Sequence, residues 1–182
     1  MRLDDCASLA DVAERRASAQ ADRHAYTFLK DGEIEQGRLT YGGLDNRARA
    51  VAATLSGVAA AGERALLLYP PGLDFVAALL GCWYAGVVAV PAYPPHRDRG
   101  KSRFDSIVAD AQPKVSLTTT EALTDSRLER ARSTSPCPWL GTDELAATAG
   151  AGWQRPSVIG SDLALLQYTS GSTAAPKGVM VS

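Results

Sequence analysis

The sequence predicts an α/β fold in which a largely parallel sheet is flanked by helices and preceded by a small N-terminal β-hairpin. Short apolar runs alternate with segments of helical periodicity, which is the pattern of strand–helix–strand units. Residues 73–85 are apolar almost all round, as expected of a buried helix. Asp31-Gly32 separates two strand-like runs, residues 25–29 and 34–40, and an Asp-Gly pair in that position is a strong hairpin signal.

The helix after this hairpin is predicted to begin beyond Thr40, its N-cap, and to extend to about Gly62. Its apolar side chains recur at helical spacing, with charged residues off that stripe. The stripe consists of Leu44, Ala48, Val51, Leu55 and Val58.

The remaining elements alternate along the chain, and strands joined through a helix return in parallel. Pro113 ends one of the helices, because proline cannot continue a helix. Residues 121–156 are the least periodic segment. We predict strands at residues 64–69, 87–90, 114–118, 163–168 and 179–181, and helices at residues 73–85, 104–111 and 126–132.

Composition narrows the classes of protein. A chain of 182 residues, 46% hydrophobic and 21% charged, suits one globular domain or a large piece of one. The net charge of −1 and the mixed charges offer no basic stripe, which argues against a nucleic-acid partner. The cysteines, Cys6, Cys82 and Cys137, are widely spaced and have no histidine pairs nearby, so they predict reduced thiols and neither a disulfide framework nor a zinc site.

No membrane span is expected. Residues 75–93 are uncharged and approach the ~20 residues that a membrane helix needs, but Gly86 and Pro91 interrupt them and β-branched residues follow. The acidic start, at Asp4 and Asp5, lacks the apolar core of a secretory signal. The expected location is the cytoplasm.

The chemically informative segment is residues 168–178, which read YTSGSTAAPKG. Its hydroxyls, its glycine-permitted backbone amides and its lysine could bind the oxygens and the charge of a polyphosphate. The same composition also fits a solvated turn between two strands. A Walker loop is excluded because Lys177 follows Pro176 and precedes a β-rich run where a helix would be needed. A dinucleotide fingerprint is excluded because Gly150-Ala151-Gly152 lacks its third glycine and a preceding strand.

This loop resembles the phosphate-binding signature of the adenylate-forming superfamily, Tyr-Thr-Ser-Gly-Ser-Thr-Gly-x-Pro-Lys-Gly, and departs from it only at Ala174. Alanine raises the cost of positive φ there, which affects the detailed loop conformation. Residues 39–44 and 85–91 are similar to two earlier superfamily elements, in the right order. Within the superfamily, residues 67–75 and 91–95, with their Tyr-Pro-Pro pieces, resemble fatty acyl-AMP ligases.

The resemblance implies that ATP, with Mg²⁺, activates a fatty acid to an acyl adenylate, and that the acyl group passes to an acyl carrier protein. It assigns no catalytic residue and no metal ligand to these 182 residues. The residues that it implies for binding the β- and γ-phosphates are Thr169, Ser170, Gly171, Ser172, Thr173 and Lys177.

The resemblance covers only the beginning of such enzymes, so residues 1–182 are expected to form a partial N-terminal AMP-binding domain, without its C-terminal part and unable to form acyl-AMP alone. Two alternatives remain: a piece of an acyl-CoA ligase or of a peptide-synthetase adenylation domain, and a non-catalytic remnant that binds a partner through an exposed sheet edge. His24 and His96 are interpreted as surface residues, Asp74 as a helix-dipole partner, and Trp83 and Tyr84 as core aromatics.

Overall fold

The computed structural model describes residues 6–93, 101–169 and 176–182. Within them, helices and strands alternate as the sequence predicts. The helices are α1 (Leu9–Ala19), α2 (Tyr41–Leu55), α3 (Leu73–Ala85), α4 (Lys101–Ala111), α5 (Thr120–Leu123) and α6 (Ser126–Thr134), with a 3-10 helix at Ala147–Gly150. The strands are β1 (His24–Lys30), β2 (Ile34–Thr40), β3 (Arg64–Leu67), β4 (Val88–Pro91), β5 (Val115–Thr118), β6 (Trp139–Gly141), β7 (Leu165–Thr169) and β8 (Lys177–Val181).

The described strands form two sheets. Strands β1 and β2 pair antiparallel as a separate hairpin, and the other strands form one sheet in the order β6-β5-β3-β4-β7-β8. Pairing is parallel from β6 through β7. Only β8 among the strands of this sheet in the described residues runs antiparallel to its neighbour. The predicted fold class, a largely parallel sheet with helices and an N-terminal hairpin, is confirmed.

Both faces of the central strands are buried, which explains why β3 is a continuous apolar run. Ala65 and Leu67 face a cluster built with α2 and α3. Leu66 and Leu68 face the opposite cluster, built with α4 and α6. The helices therefore cover both faces of the sheet.

The turn of the β1–β2 hairpin has the backbone that an Asp-Gly pair allows. Asp31 has φ +54° and Gly32 has φ +80°, and the Glu33 amide donates to the Lys30 carbonyl at 3.2 Å. Successive positive φ values are those of the tight turns that match the twist of paired strands. The prediction from Asp-Gly is confirmed in both position and cause.

Helix α2 begins as predicted and ends earlier than predicted. The Thr40 side chain accepts a hydrogen bond from the Gly43 amide at 3.1 Å, which confirms Thr40 as the N-cap. The helix ends at Leu55 and does not reach Gly62. Val58, the last residue of the predicted stripe, lies in the turn after the helix and is 39% exposed, so its spacing was coincidental.

The core aromatics are also as predicted. Tyr84 is fully buried and donates a hydrogen bond to Asp45 Oδ1 at 2.6 Å. The indole of the half-buried Trp83 donates to the Ala164 carbonyl at 3.1 Å. Asp74 lies in the first turn of α3, where a helix dipole favours an acid, and it also pairs with Arg47.

Helix α1 is an element that the sequence reasoning did not predict, although Ser8 and Asp11 form a capping box. It is tied to a distant loop by Arg155. The guanidinium of Arg155 donates to Asp11 Oδ1 at 2.5 Å, to Glu14 Oε2 at 2.9 Å and to Ser8 Oγ at 3.0 Å. Burial alone would raise the pKa of Asp11, but the hydrogen bond and charge of Arg155 outweigh it, so that pKa lies below its usual value.

We expect Arg155→Met to lower the free energy of unfolding by about 1–2 kcal/mol, the range for hydrogen bonds to partly exposed charged groups. Because the pKa of folded Asp11 is depressed, its contribution is present above the unfolded pKa and is lost as pH falls through the folded pKa. The difference between variant and wild type should therefore shrink between pH 6 and about pH 3 in urea unfolding. An equal difference at both pH values would show that Arg155 contributes by packing alone.

The described part of the chain holds its cysteines as free thiols. Cys82 is fully buried, and burial raises its pKa to about 12. No helix in the described residues has the length and hydropathy needed to cross a membrane.

Strand β8 lies at the edge of the sheet and exposes apolar side chains. Val179, Met180 and Val181 are 48%, 75% and 42% exposed. The alternative of a non-catalytic remnant expects an edge of this kind, and such edges favour association with other chains. Whether this one associates stays a prediction.

Candidate functional site

The carboxyl ends of β3, β4, β5, β6 and β7 lie at one edge of the sheet, because these strands are parallel. Ligands of open α/β sheets bind at this edge. Strand β7 ends there at Thr169, and β8, which runs the other way, begins there at Lys177. The two residues are Cα partners across the β7–β8 hairpin.

The structure thus brings together the first and last of the predicted phosphate-binding residues. Both Thr169 and Lys177 are exposed at the mouth of the hairpin. Their hydroxyl and ammonium groups can donate hydrogen bonds to phosphate oxygens, and the ammonium can neutralise charge. The other predicted site residues, Ser170, Gly171, Ser172 and Thr173, lie outside the described residues, as does Ala174.

The element after the loop supports the exclusion of a Walker loop. A Walker loop leads into a helix whose N-terminus binds phosphate. Here residues 177–181 form strand β8, paired with β7 over its whole length. The predicted strand at residues 179–181 is confirmed and begins slightly earlier than predicted.

The base of the hairpin is held by helix α4 through Tyr168. Tyr168 is 5% exposed. Its hydroxyl donates to Asp110 Oδ2 at 2.5 Å, and its carbonyl accepts from Arg103 Nη2 at 3.3 Å. Burial raises the pKa of Tyr168 and the neighbouring Asp110 raises it further, so the hydroxyl stays a neutral donor.

Strand β8, the other strand of the hairpin, packs against the ring of Tyr168 at Gly178. A Cβ added at Gly178 would lie 3.1 Å from Tyr168 Cζ and 3.2 Å from Tyr168 Cε1. Tyr168 and Gly178 are Cα partners. The glycine of the loop sequence therefore leaves the space that the tyrosine ring occupies, and the two residues form one packed unit.

Sequence reasoning missed Asp110 and Arg103. They precede their partner Tyr168 by 58 and 65 residues, respectively. No local pattern links residues at such separations. The only hint in the sequence is a tyrosine at the end of a buried strand, whose hydroxyl needs a partner.

Other hydroxyls near this edge are paired inside the protein. The hydroxyls of Tyr69 and Thr142 are hydrogen-bonded at 2.6 Å, and Thr118 Oγ1 donates to the Leu68 carbonyl at 2.6 Å. Burial raises the pKa of Tyr69, so it does not titrate near neutrality. These hydroxyls are therefore already engaged in hydrogen bonds within the protein.

In the part of the chain that the structure describes, no group of three or more His, Cys, Asp or Glu is placed to hold a metal ion. His24 is an exposed residue at the start of β1, as interpreted from the sequence. His96 lies outside the described residues.

The structure is an open α/β sheet whose carboxyl edge carries a hydroxyl group and a lysine on one hairpin. The family profile described as "AMP-binding enzyme" matches residues 13–182, and the chain belongs to this family.

Similar proteins agree with that assignment. A medium-chain-fatty-acid–[acyl-carrier-protein] ligase, JamA of Moorena producens (strain JHB), is 43% identical over 188 residues, covering 100% of this chain and 32% of its own. FadD21 of Mycobacterium tuberculosis (strain ATCC 25618 / H37Rv), named a putative fatty-acid–CoA ligase, is 36% identical over 184 residues, covering 96% of this chain and 31% of its own. A crystal structure of a fatty acyl-adenylate ligase from L. pneumophila, in complex with acyl adenylate and pyrophosphate, superposes with TM-score 0.87 at 37% identity, covering 100% of this chain and 32% of that chain.

The chain therefore spans about a third of the length of the relatives it matches, with 32% of the first and 31% of the second covered. The shared part includes the hairpin at the sheet edge.

Proposed function

We propose that this chain contributes the phosphate-binding part of an enzyme that activates a fatty acid with ATP, forming an acyl adenylate for transfer to an acyl carrier protein. The observation that carries the proposal is the pairing of Thr169 and Lys177 across a hairpin at the carboxyl edge. Two similar proteins, a fatty-acid–[acyl-carrier-protein] ligase and a fatty acyl-adenylate ligase, support a fatty acid as the substrate and an acyl adenylate as the product.

The chemistry gives each group a defined task. A carboxylate oxygen of the fatty acid attacks the α-phosphorus of ATP, and the bond from that phosphorus to the bridging oxygen breaks. Pyrophosphate leaves with the electron pair, and acyl-AMP remains. Lys177 would neutralise the charge that develops on the leaving pyrophosphate, while Thr169 would donate a hydrogen bond to its oxygens.

The loop residues between these two belong to the same proposal. Ser170, Gly171, Ser172 and Thr173 would complete the cradle with hydroxyls and backbone amides. Their task is to position the β- and γ-phosphates, so that the α-phosphorus meets the carboxylate. None of them forms a covalent bond to the substrate.

The proposal also covers the domain organisation, the metal ion and the location of the protein. Residues 1–182 would be part of an N-terminal AMP-binding domain that works with a C-terminal part, as the 32% share of the first relative suggests. Mg²⁺ would accompany ATP and offset phosphate charge, and we assign no ligand of it to the described residues, which hold no suitable acidic cluster. The unpaired thiols support the cytoplasm as location.

A second acceptor has a specific observation in its favour, since FadD21 is named a putative fatty-acid–CoA ligase. In both cases the thiol of the acceptor, the phosphopantetheine of a carrier protein or coenzyme A, would attack the acyl carbonyl. The bond from the carbonyl carbon to the AMP oxygen would break, and AMP would leave with the electron pair. The two functions share the first half-reaction and differ only in the thiol. The chain's phosphate-binding residues do not distinguish them.

The test uses the complete natural polypeptide that contains these residues, incubated with ATP, Mg²⁺ and fatty acids of increasing length. Acyl-AMP and pyrophosphate should form in equal amounts and only with both substrates. Acyl transfer is then compared between a phosphopantetheinylated carrier protein and coenzyme A. Transfer to coenzyme A alone would favour the second candidate, and no pyrophosphate release with any acid would refute both.

A further inference from the structure

The mouth of the β7–β8 hairpin is held to the rest of the protein by more than the sheet. Among the described residues, β4 and β7 pair at Ala89 and Leu165, at the start of β7. Thr169 lies at the other end of the strand. Contacts beyond this pairing can therefore help to fix the positions of Thr169 and Lys177.

Helix α4 provides this support through Tyr168. Arg103 and Asp110 lie about two turns apart on the helix, and residues at such spacing share a face. Arg103 holds the backbone carbonyl of Tyr168 and Asp110 holds its hydroxyl. The tyrosine is thus fixed at both ends, directly before the first phosphate-binding residue.

The helix is in turn tied to the central strand of the sheet. Arg64, the first residue of β3, donates from Nε to the Ala111 carbonyl at 2.6 Å and from Nη2 to the Gln112 carbonyl at 3.2 Å. These bonds satisfy carbonyls at the end of α4 that have no partner within the helix. The path from β3 through α4 to Tyr168 consists of direct bonds.

We propose that Asp110 and Arg103 are positioning residues, which act through Tyr168 to set the location of Thr169 and Lys177 and so determine the affinity for the polyphosphate of ATP. This rests on the proposed function. Packing alone would be served by phenylalanine, whose ring could equally cover Gly178. The buried hydroxyl with its carboxylate partner adds an orientation that a ring alone does not have.

The experiment measures KM for ATP, KM for the fatty acid, kcat and Tm in the complete natural polypeptide. Tyr168→Phe and Asp110→Ala should each raise KM for ATP about tenfold, the size of effect typical for a hydrogen bond to a charged group. KM for the fatty acid should stay the same. The double variant should be no worse than either single one, because both remove one bond.

Two variants separate positioning from simple stability. Asp110→Asn keeps an oxygen that can accept the hydrogen bond from the Tyr168 hydroxyl, so this variant should bind ATP nearly as well as wild type. Val108→Ala removes methyl groups from the same helix and the same cluster without a bond to Tyr168; it should lower Tm and leave KM for ATP within about twofold. Arg103→Ala should act in the same direction as Asp110→Ala by a smaller factor, since its bond is longer.

Hydrogen–deuterium exchange supplies a readout that needs no turnover. Asp110→Ala should speed exchange about tenfold in the peptides that cover β7 and β8, and leave β3 unchanged. If the wild-type protein activates no acid, the proposed function is refuted. The exchange rates of β7 and β8 would still show whether Asp110 holds the hairpin in position. Unchanged exchange, or a KM for ATP that moves no more than in Val108→Ala, would overturn the inference.

Discussion

Lys177→Ala is expected to lower kcat/KM for acyl-AMP formation about 100-fold, the scale seen when one preorganised donor to developing charge is removed. In the proposed reaction negative charge grows on the pyrophosphate as it leaves, and an ammonium at the mouth of the hairpin would stabilise that charge more in the transition state than in bound ATP. Lys177 is exposed at the start of β8, so Tm should not change. Pyrophosphate release with a saturating fatty acid measures the effect.

Lys114→Ala is the matched control. Lys114 precedes β5 and therefore lies at the amino edge of the sheet, where it pairs with Glu63 at 3.5 Å. Its removal eliminates the same charge without touching the hairpin. Lys177→Arg should recover part of the activity, because it keeps the charge in a different shape. Equal activity in Lys177→Ala and Lys114→Ala would contradict the proposed role of the carboxyl edge.

Gly81→Ala is expected to lower the free energy of unfolding by about 2 kcal/mol, the middle of the range for overpacked cores. A Cβ at this position of α3 would lie 2.6 Å from both Cβ and Cγ1 of Val51 and 3.0 Å from the Ala48 carbonyl oxygen. Helices α2 and α3 must move apart to accept it. Alanine's better helix propensity offsets only up to ~1 kcal/mol of this cost. Urea unfolding measures the change.

Gly57→Ala is the control for this prediction. The nearest atom to its added Cβ is the Thr54 carbonyl oxygen at 3.5 Å, an ordinary contact, so its stability should stay within about 0.5 kcal/mol of wild type. Adding Val51→Ala to Gly81→Ala should cost less than the sum of the two changes, because the valine truncation removes Cγ1, one of the two Val51 atoms at 2.6 Å, although Cβ remains. Full additivity, or a Gly81→Ala variant as stable as wild type, would show that the helices adjust freely.

Local chemistry made much of the fold predictable. The β1–β2 turn depends on Asp31 and Gly32 alone, both with positive φ, and the start of α2 depends on Thr40 and the amide of Gly43. Helix α3 has the predicted bounds because its apolar residues run from one glycine, Gly72, to another, Gly86, which has φ +68°. Each of these features is decided within a few residues of chain.

Elements with weaker local signals were missed or misjudged. Strand β6 has three residues, too few for a periodicity to be recognised, and it becomes a strand by pairing with β5. Helix α1 buries only Ala10 and leaves Leu9 66% exposed, so its apolar stripe is faint. The spacing of Val58 extended the α2 stripe in sequence, but the chain turns before it.

The alternation of helix and strand and the β1–β2 hairpin could be predicted from the sequence, because these features depend on neighbours in the chain. Thr169 and Lys177 became candidates through the resemblance of residues 168–178 to a family signature. The contacts between distant residues depend on the three-dimensional structure. Asp110 bonds to Tyr168, next to Thr169, across 58 residues, and elsewhere Arg155 ties α1 through Asp11 across 144 residues. Hydrogen bonds depend on distance in space, and folding sets that distance through the packing of both sheet faces.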